Sequence, residues 1–228
     1  MSLAPRHDSS GSCLEPEWRV RSGADADRRV YLASKRLLDI AVAASLLVGL
    51  SPLLVTIAAC IALDTHGAVF YRAQRIGLRG RRFTMIKFRT MLVADRPRRR
   101  SDHDGSIVRD SQYLKPRSDP RTTPFGKWLR RWSLDELPNL LNVLAGDMSL
   151  VGPRPAGWAP ESYGEAFDAV FSVKPGVTGL WQVMGRSDLT FAERIALDCE
   201  YVRRRTFRMD VWILLKTIPA VLTGRGAY

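Results

Sequence analysis

Cysteine and histidine are scarce in this 228-residue chain, with three of each. Cys13, Cys60 and Cys199 are far apart, odd in number and without CxxC spacing. A disulfide framework or a zinc site therefore has no support, and a reducing compartment is the default. His7, His66 and His103 stand alone, which removes the basis for a histidine metal site or triad. No GxxxxGK[ST] loop occurs, and no GxGxxG follows a strand, so neither a P-loop nor a Rossmann nucleotide site is expected. The N-terminal stretch is polar and charged and has no cleavable apolar signal. Residues 1–30 read as a disordered polar tail. No internal repeat is present.

Positive charge and apolar runs are abundant. A formal net charge of +12 with 46% hydrophobic residues fits one domain with a real core and anionic partners. The clearest run is Ile40 to Leu63, IAVAASLLVGLSPLLVTIAACIAL, which carries no charge. As one straight helix it would be about 36 Å long, enough for a bilayer. Ser51-Pro52 lies in its middle, where proline removes a helical donor and disfavours helix in the residue before it. Both flanks are basic: Lys35 and Arg36 before, then Arg72, Arg75, Arg79, Arg81 and Arg82 after. Positive flanks mark the cytoplasmic side, so residues 31–66 read as a re-entrant membrane helix that turns at Ser51-Pro52. A bitopic span kinked at the proline is the alternative. An ordinary core helix fits less well, because the run is apolar all round.

Downstream, VFYRAQRIG (69–77) and FTMIKFRTM (83–91) alternate and are rich in β-branched and aromatic residues, with Gly77 and Gly80 between them. A β-hairpin is expected. Residues 92–118 are charged and irregular, a loop whose arginines either touch anionic lipid or are simply solvated. A helix is expected from Ser133, a turn at Gly146-Asp147, a short helix over 160–172, a glycine-punctuated loop over 174–186 and a longer helix from Thr190. The C-terminal MDVWILLKTIPAVLTGRGAY is suited to a membrane interface.

The adjacent carboxylates Asp135 and Glu136 are the residues best suited to chemistry. On a helix they point about 100° apart and can serve two neighbouring jobs. A carboxylate can attack phosphorus to give an acyl phosphate; its neighbour can hold Mg²⁺ or manage a proton. Ser133-x-x-Glu136 equally fits a capping box, in which Glu136 only satisfies a backbone donor. The two readings are compatible, since a helix N-terminus favours anions. Lys87, Arg89, Arg121, Arg130, Arg131 and Arg154 cluster around the pair in sequence. Guanidinium groups suit the closely spaced oxygens of a diphosphate, and Pro153 and Pro155 restrict the backbone that presents Arg154.

These stretches together resemble the bacterial sugar transferase family, the monotopic polyprenyl-phosphate phosphoglycosyl transferases. The resemblance is carried by KRLLDI (35–40), Ser51-Pro52, YRAQRIGLRGRRFTMIKFRTM (71–91), DPRTTPFGKWLRRWSLDELPNLLNVLAGDMSLVGPRP (119–155), KPGVTGLWQVMGR (174–186) and the LDCEYV…MDVWILLKT…GAY tail. It implies a re-entrant helix broken at Ser51-Pro52 and a catalytic domain over 67–228 on the cytoplasmic face of the bacterial inner membrane. Asp135 would attack the β-phosphate of a UDP-sugar, release UMP and hold a covalent phosphosugar. A polyprenyl (undecaprenyl) phosphate would then take the phosphosugar, the first membrane step of exopolysaccharide, O-antigen or glycoprotein glycan assembly. Mg²⁺ is the implied cofactor, with Glu136 its contact. Lys87, Arg89 and Arg154 match the family's basic motifs near the phosphates, and Gln182 and Arg186 its glycine-rich loop. Larger members carry further N-terminal membrane helices and a soluble domain; here about thirty polar residues precede the core, as in a minimal form. Membrane lipids are the other expected partners, and a homodimer is left open.

The expected fold is α+β and helix-dominated, with the re-entrant helix, one hairpin and interfacial amphipathic helices. Two other functions use the same features. A metal-dependent lipid-diphosphate phosphohydrolase would give the dyad water as acceptor. A basic membrane-surface adaptor or nucleic-acid binder would need only the charge, but no base-stacking arrangement of aromatics is apparent, and nucleic acid is not expected as a partner.

Overall fold

The computed structural model describes residues 22–92, 121–156, 160–185 and 188–223, with side chains described from residue 28 and, after the 157–159 interval, from residue 163. The loop expected over 92–118, and Arg186, fall outside the described residues, apart from Leu92.

The chain opens on a long helix, α1 (Ser22–Gly49), followed by α2 (Ser51–Asp64). α1 starts inside the stretch read as tail. The axes bend by 62° at the break, and among the described residues no single helix is long and apolar enough to cross a membrane. The cause of the bend is local. Pro52 has no N–H for the carbonyl of Val48, and the Ser51 hydroxyl donates to that carbonyl instead, at 2.8 Å. Ser51-Pro52 thus breaks the helix where the sequence places the break.

The hairpin forms as expected from β1 (Phe70–Ile76) and β2 (Arg82–Phe88), antiparallel, with Tyr71 opposite Lys87 and Ala73 opposite Met85. α3 (Pro124–Arg131) begins on a Thr123 cap, and its Leu129 packs with Phe88 of β2 and with Ile57 and Ile61 of α2. α2 is therefore packed on one side only. Val55 and Leu63 on its other side are 69% and 89% exposed.

Next come α4 (Asn139–Ala145), β3 (Ser149–Val151), α5 (Phe167–Val170), β4 (Gly176–Thr178), α6 (Leu180–Met184), α7 (Phe191–Arg204) and α8 (Phe207–Thr223). The 174–186 stretch is not simply a loop. It contains β4, which pairs in parallel with β3, and then α6. Gly152 and Gly176 allow the close approach: a Cβ on Gly176 would lie 2.1 Å from the Gly152 nitrogen. α7 begins at a capping box formed by Thr190 and Glu193. The main core joins Ala43 of α1, Met85, Val143, Met148, Val151, Tyr201 and Ile213, tying α1, the hairpin, α4, β3, α7 and α8 together.

A buried charge network fastens α1 to this core. Lys35 pairs with Asp210 of α8 at 2.9 Å and donates to the carbonyl of Val151. The hydroxyls of Tyr31 and Tyr201 reach Asp210 at 2.9 and 2.7 Å. Arg36 donates to the last carbonyls of α4, those of Val143 and Leu144, as cations do at helix C-termini. Asp39 accepts from the Leu150 backbone. The KRLLD segment is thus the joint between the helix pair and the rest of the chain.

Candidate active site

The carboxylate pair lies on a single 3-10 turn, Leu134–Glu136, between α3 and α4. The residue before it, Ser133, adopts left-handed geometry (φ 55°) and makes no side-chain cap. The capping box expected at Ser133 and Glu136 does not form, nor does a regular helix start there. Glu136 has other partners. Its Oε1 lies 2.6 Å from Lys87 Nζ and 2.6 Å from Arg154 Nη2, while Oε2 has only a 3.5 Å contact with Arg154 Nη1.

Three elements converge to build this clamp. Asn142 of α4 donates to the Thr84 carbonyl and accepts from the Ile86 backbone, which pins β2 and so presents Lys87. Arg154 follows β3, between two prolines that restrict its backbone. Its backbone N–H is hydrogen-bonded by the buried Asp198 of α7, and its guanidinium lies 6.0 Å from the Trp181 ring of α6. Arg194 stacks on the same ring at 4.9 Å.

The two carboxylates differ in electrostatics. Burial pushes Glu136 up, but Arg154 and Lys87 outweigh burial and hold it well below the usual carboxylate range. Burial and the Glu136 charge push Asp135 up, against the pull of Lys87, Arg130 and Arg154. Proximity of like charges and unequal pairing drive their pKa values apart. Glu136 is thus a fixed anion holding two cations, whereas Asp135 has no salt-bridge partner among the described residues. The positive charge acting on Asp135 comes from Lys87, Arg130 and Arg154. Burial also raises Asp198 well above the usual range, against Arg154.

Of the residues singled out in the sequence, the structure brings Asp135, Glu136, Lys87 and Arg154 together. Arg89 is elsewhere: it donates to the carbonyls of Thr65 and His66 and to the Thr65 hydroxyl, closing the C-terminal end of α2. Gln182 donates to the Val177 carbonyl, one residue from Trp181. Asn142, Trp181, Arg194 and Asp198 are the contributors that the sequence reading missed. Arg130, one of the arginines near the pair in sequence, also acts on Asp135. Asn142 and Asp198 could have been suspected as polar residues at core positions of α4 and α7, whereas Trp181 carried no signal in a stretch read as loop.

A resident metal needs oxygen ligands. No group of three or more histidine, cysteine or acidic side chains occurs among the described residues. Mg²⁺ is commonly held by one or two carboxylates together with substrate phosphates and water. The dyad fits that mode, with Glu136 Oε2, which has only a long contact to Arg154, as the available oxygen.

The site thus sets Asp135 beside a carboxylate clamped by two cations, with Arg130 acting on it as well. The bacterial sugar transferase family model matches residues 30–224, and the chain belongs to that family. It is 42% identical over 204 residues to the exopolysaccharide production protein ExoY of Rhizobium meliloti, covering 86% of this chain and 88% of that one. The UDP-glucose:undecaprenyl-phosphate glucose-1-phosphate transferase of Caulobacter vibrioides is 39% identical over 218 residues, 92% of this chain and 77% of that one. The undecaprenyl-phosphate galactose phosphotransferase of Salmonella typhimurium is 40% identical over 205 residues, 85% of this chain but 41% of that one.

Proposed function

We propose that this protein transfers a sugar-1-phosphate from a UDP-sugar to undecaprenyl phosphate, with Asp135 as nucleophile. The relatives named as undecaprenyl-phosphate transferases support the reaction class. The observation that carries the assignment is the Glu136 clamp. It holds Lys87 and Arg154 beside an unpaired Asp135, the arrangement an in-line displacement at phosphorus requires.

In the first half-reaction an Asp135 oxygen forms a bond to the β-phosphorus. The bond from that phosphorus to the oxygen shared with the α-phosphate breaks, and UMP leaves with the electron pair. In the second, a phosphate oxygen of the polyprenyl phosphate attacks the same phosphorus, and the Asp135 carboxylate leaves. Lys87 and Arg154 stabilise the charge on the oxygens around phosphorus, and Glu136 keeps both cations in place. Bound through Glu136 and the donor phosphates, Mg²⁺ would supply further charge neutralisation there.

The lipid acceptor explains the helix pair. Exposed apolar residues of α1 and α2, among them Leu37, Val48, Val55 and Leu63, favour a bilayer over water. With both ends basic, α1 and α2 enter and leave on the cytoplasmic face, and the dyad sits at that surface. The test is transfer of radiolabelled sugar phosphate from UDP-galactose or UDP-glucose into a lipid fraction. Label in polyprenyl diphosphate sugar supports the proposal. Release of free sugar phosphate with no lipid product would point to a phosphohydrolase.

A further inference from the structure

Arg75 lies within the 71–91 stretch that carries the resemblance but has been given no role beyond a basic flank, and its position is specific. Side chains alternate faces along a strand, so Tyr71, Ala73 and Arg75 share one face of β1. Across the ladder, Lys87, Met85 and Phe83 share the same face of β2. Ala73 and Met85 are buried in the main core, so this is the face turned to the interior. Lys87 reaches Glu136 from its far end. Arg75 lies two pleats along, roughly 13 Å of strand from the Tyr71–Lys87 rung. At that end β1 leaves the hairpin and joins the segment that carries Arg154: the Ile76 N–H donates to the Ala156 carbonyl at 3.1 Å.

Arg75 is half-buried and forms no salt bridge among the described residues; its guanidinium donates only to the Gln74 carbonyl, at 3.2 Å. Burial lowers its pKa most; Tyr71 on the same face works against burial, Arg154 adds to it and Glu136 opposes it. Glu136 is already committed to Lys87 and Arg154. A partly buried guanidinium beside another cation, without a carboxylate of its own, is a site for an external anion.

The hairpin places the anion. Lys87 and Arg75 stand at opposite ends of the interior face, and the segment that carries Arg154 meets β1 at the Arg75 end through the Ile76–Ala156 bond. Glu136 joins Lys87 to Arg154, so Arg75 extends the cationic row beyond Arg154, away from Lys87. We infer that Arg75 binds the donor phosphate that departs with the nucleotide, so that the diphosphate bridges from the attacked phosphorus at Asp135, past Arg154, to Arg75. This rests on the nucleoside-diphosphate donor proposed above. It makes Arg75 a leaving-group residue, needed for the first half-reaction and not for the second.

The test is titration of the full chain in nanodiscs with UMP and with uridine, comparing wild type, Arg75→Gln and Arg75→Lys. A charged hydrogen bond of ordinary strength predicts UMP binding weaker by roughly 10- to 100-fold in Arg75→Gln, with uridine binding unchanged and partial recovery in Arg75→Lys. Wild-type thermal stability in Arg75→Gln shows that the hairpin is intact. Unchanged UMP affinity in Arg75→Gln overturns this inference alone. Equal losses for UMP and uridine, or equal losses in both variants with a lowered melting temperature, also overturn it by making Arg75 structural. Absence of UMP binding by the wild type overturns the donor assignment together with it.

Discussion

Two buried charge networks use the same ingredients to different ends. At the joint of α1 and α8, Asp210 is surrounded by Lys35, Tyr31 and Tyr201, and Lys35 also donates to Val151. The charges match one for one and the buried carboxylate is fully bonded. At the dyad, Glu136 alone holds Lys87 and Arg154, Arg130 and Arg75 bring further positive charge, and Asp135 carries no salt bridge. The closed network fastens an element, while the open one keeps an excess of cation that no carboxylate among the described residues balances, which is what the proposed anionic donor would use.

The largest expected effect separates the two by activity. Asp135→Asn should lower lipid-linked product by at least roughly 10³-fold, as loss of a covalent nucleophile does. The same change should stabilise the fold. Because burial and Glu136 raise the Asp135 pKa, its ionisation costs stability that is full above the raised pKa, shrinks as pH falls from there, and is gone below the ordinary carboxylate range. A gain of about 1 kcal/mol, read as roughly 2–4 °C in Tm at neutral pH and vanishing in acid, is predicted. A lowered Tm would contradict the open-network description.

The next effect is on stability. Asp210→Ala leaves Lys35 buried without its partner and should cost about 3–5 kcal/mol in denaturant unfolding. Replacing both, Lys35→Met with Asp210→Leu, should recover most of it. The parallel double change, Lys87→Met with Glu136→Leu, leaves Arg154 without its carboxylate, so it should cost stability where the Lys35–Asp210 replacement does not, and it should abolish transfer. Recovery of activity there would make the dyad network structural.

A smaller effect is in the pH profile. Attack requires ionised Asp135, so kcat/KM should fall as pH drops through its raised pKa, while Glu136 stays ionised throughout. Removing the Glu136 charge in Glu136→Gln lowers the Asp135 pKa, so the acid limb of the residual activity should move to lower pH. The smallest is at the helix break. Ser51→Ala loses the bond to the Val48 carbonyl and should cost about 1 kcal/mol of thermal stability with little effect on turnover.

The parts legible in the sequence were those governed by local rules. An uncharged run with Ser51-Pro52 at its centre has few ways to fold, and alternation with glycines between the runs specified the hairpin. The α7 start was carried by Thr190. What escaped depended on partners distant in sequence. Ser133-x-x-Glu136 satisfied the capping pattern, but Lys87 and Arg154 arrive from 49 and 18 residues away and take Glu136. Arg89, two residues from Lys87, has the same charge and the same strand face but lies beyond the hairpin, where the open carbonyls of Thr65 and His66 receive it. The β3–β4 pairing was hidden because short strands with glycines look like loops until Gly152 and Gly176 meet.

Whether Asp135 carries the phosphosugar is decided by intact-mass spectrometry. Purified protein is incubated with Mg²⁺ and either UDP-galactose or UDP-glucose, without a lipid acceptor. A covalent intermediate gives a mass increase of one phosphosugar in wild type, absent in Asp135→Asn and discharged on addition of undecaprenyl phosphate. Lipid-dependent UMP release with no adduct from either donor would contradict it, replacing the covalent route with direct transfer and leaving Asp135 as a base or metal ligand.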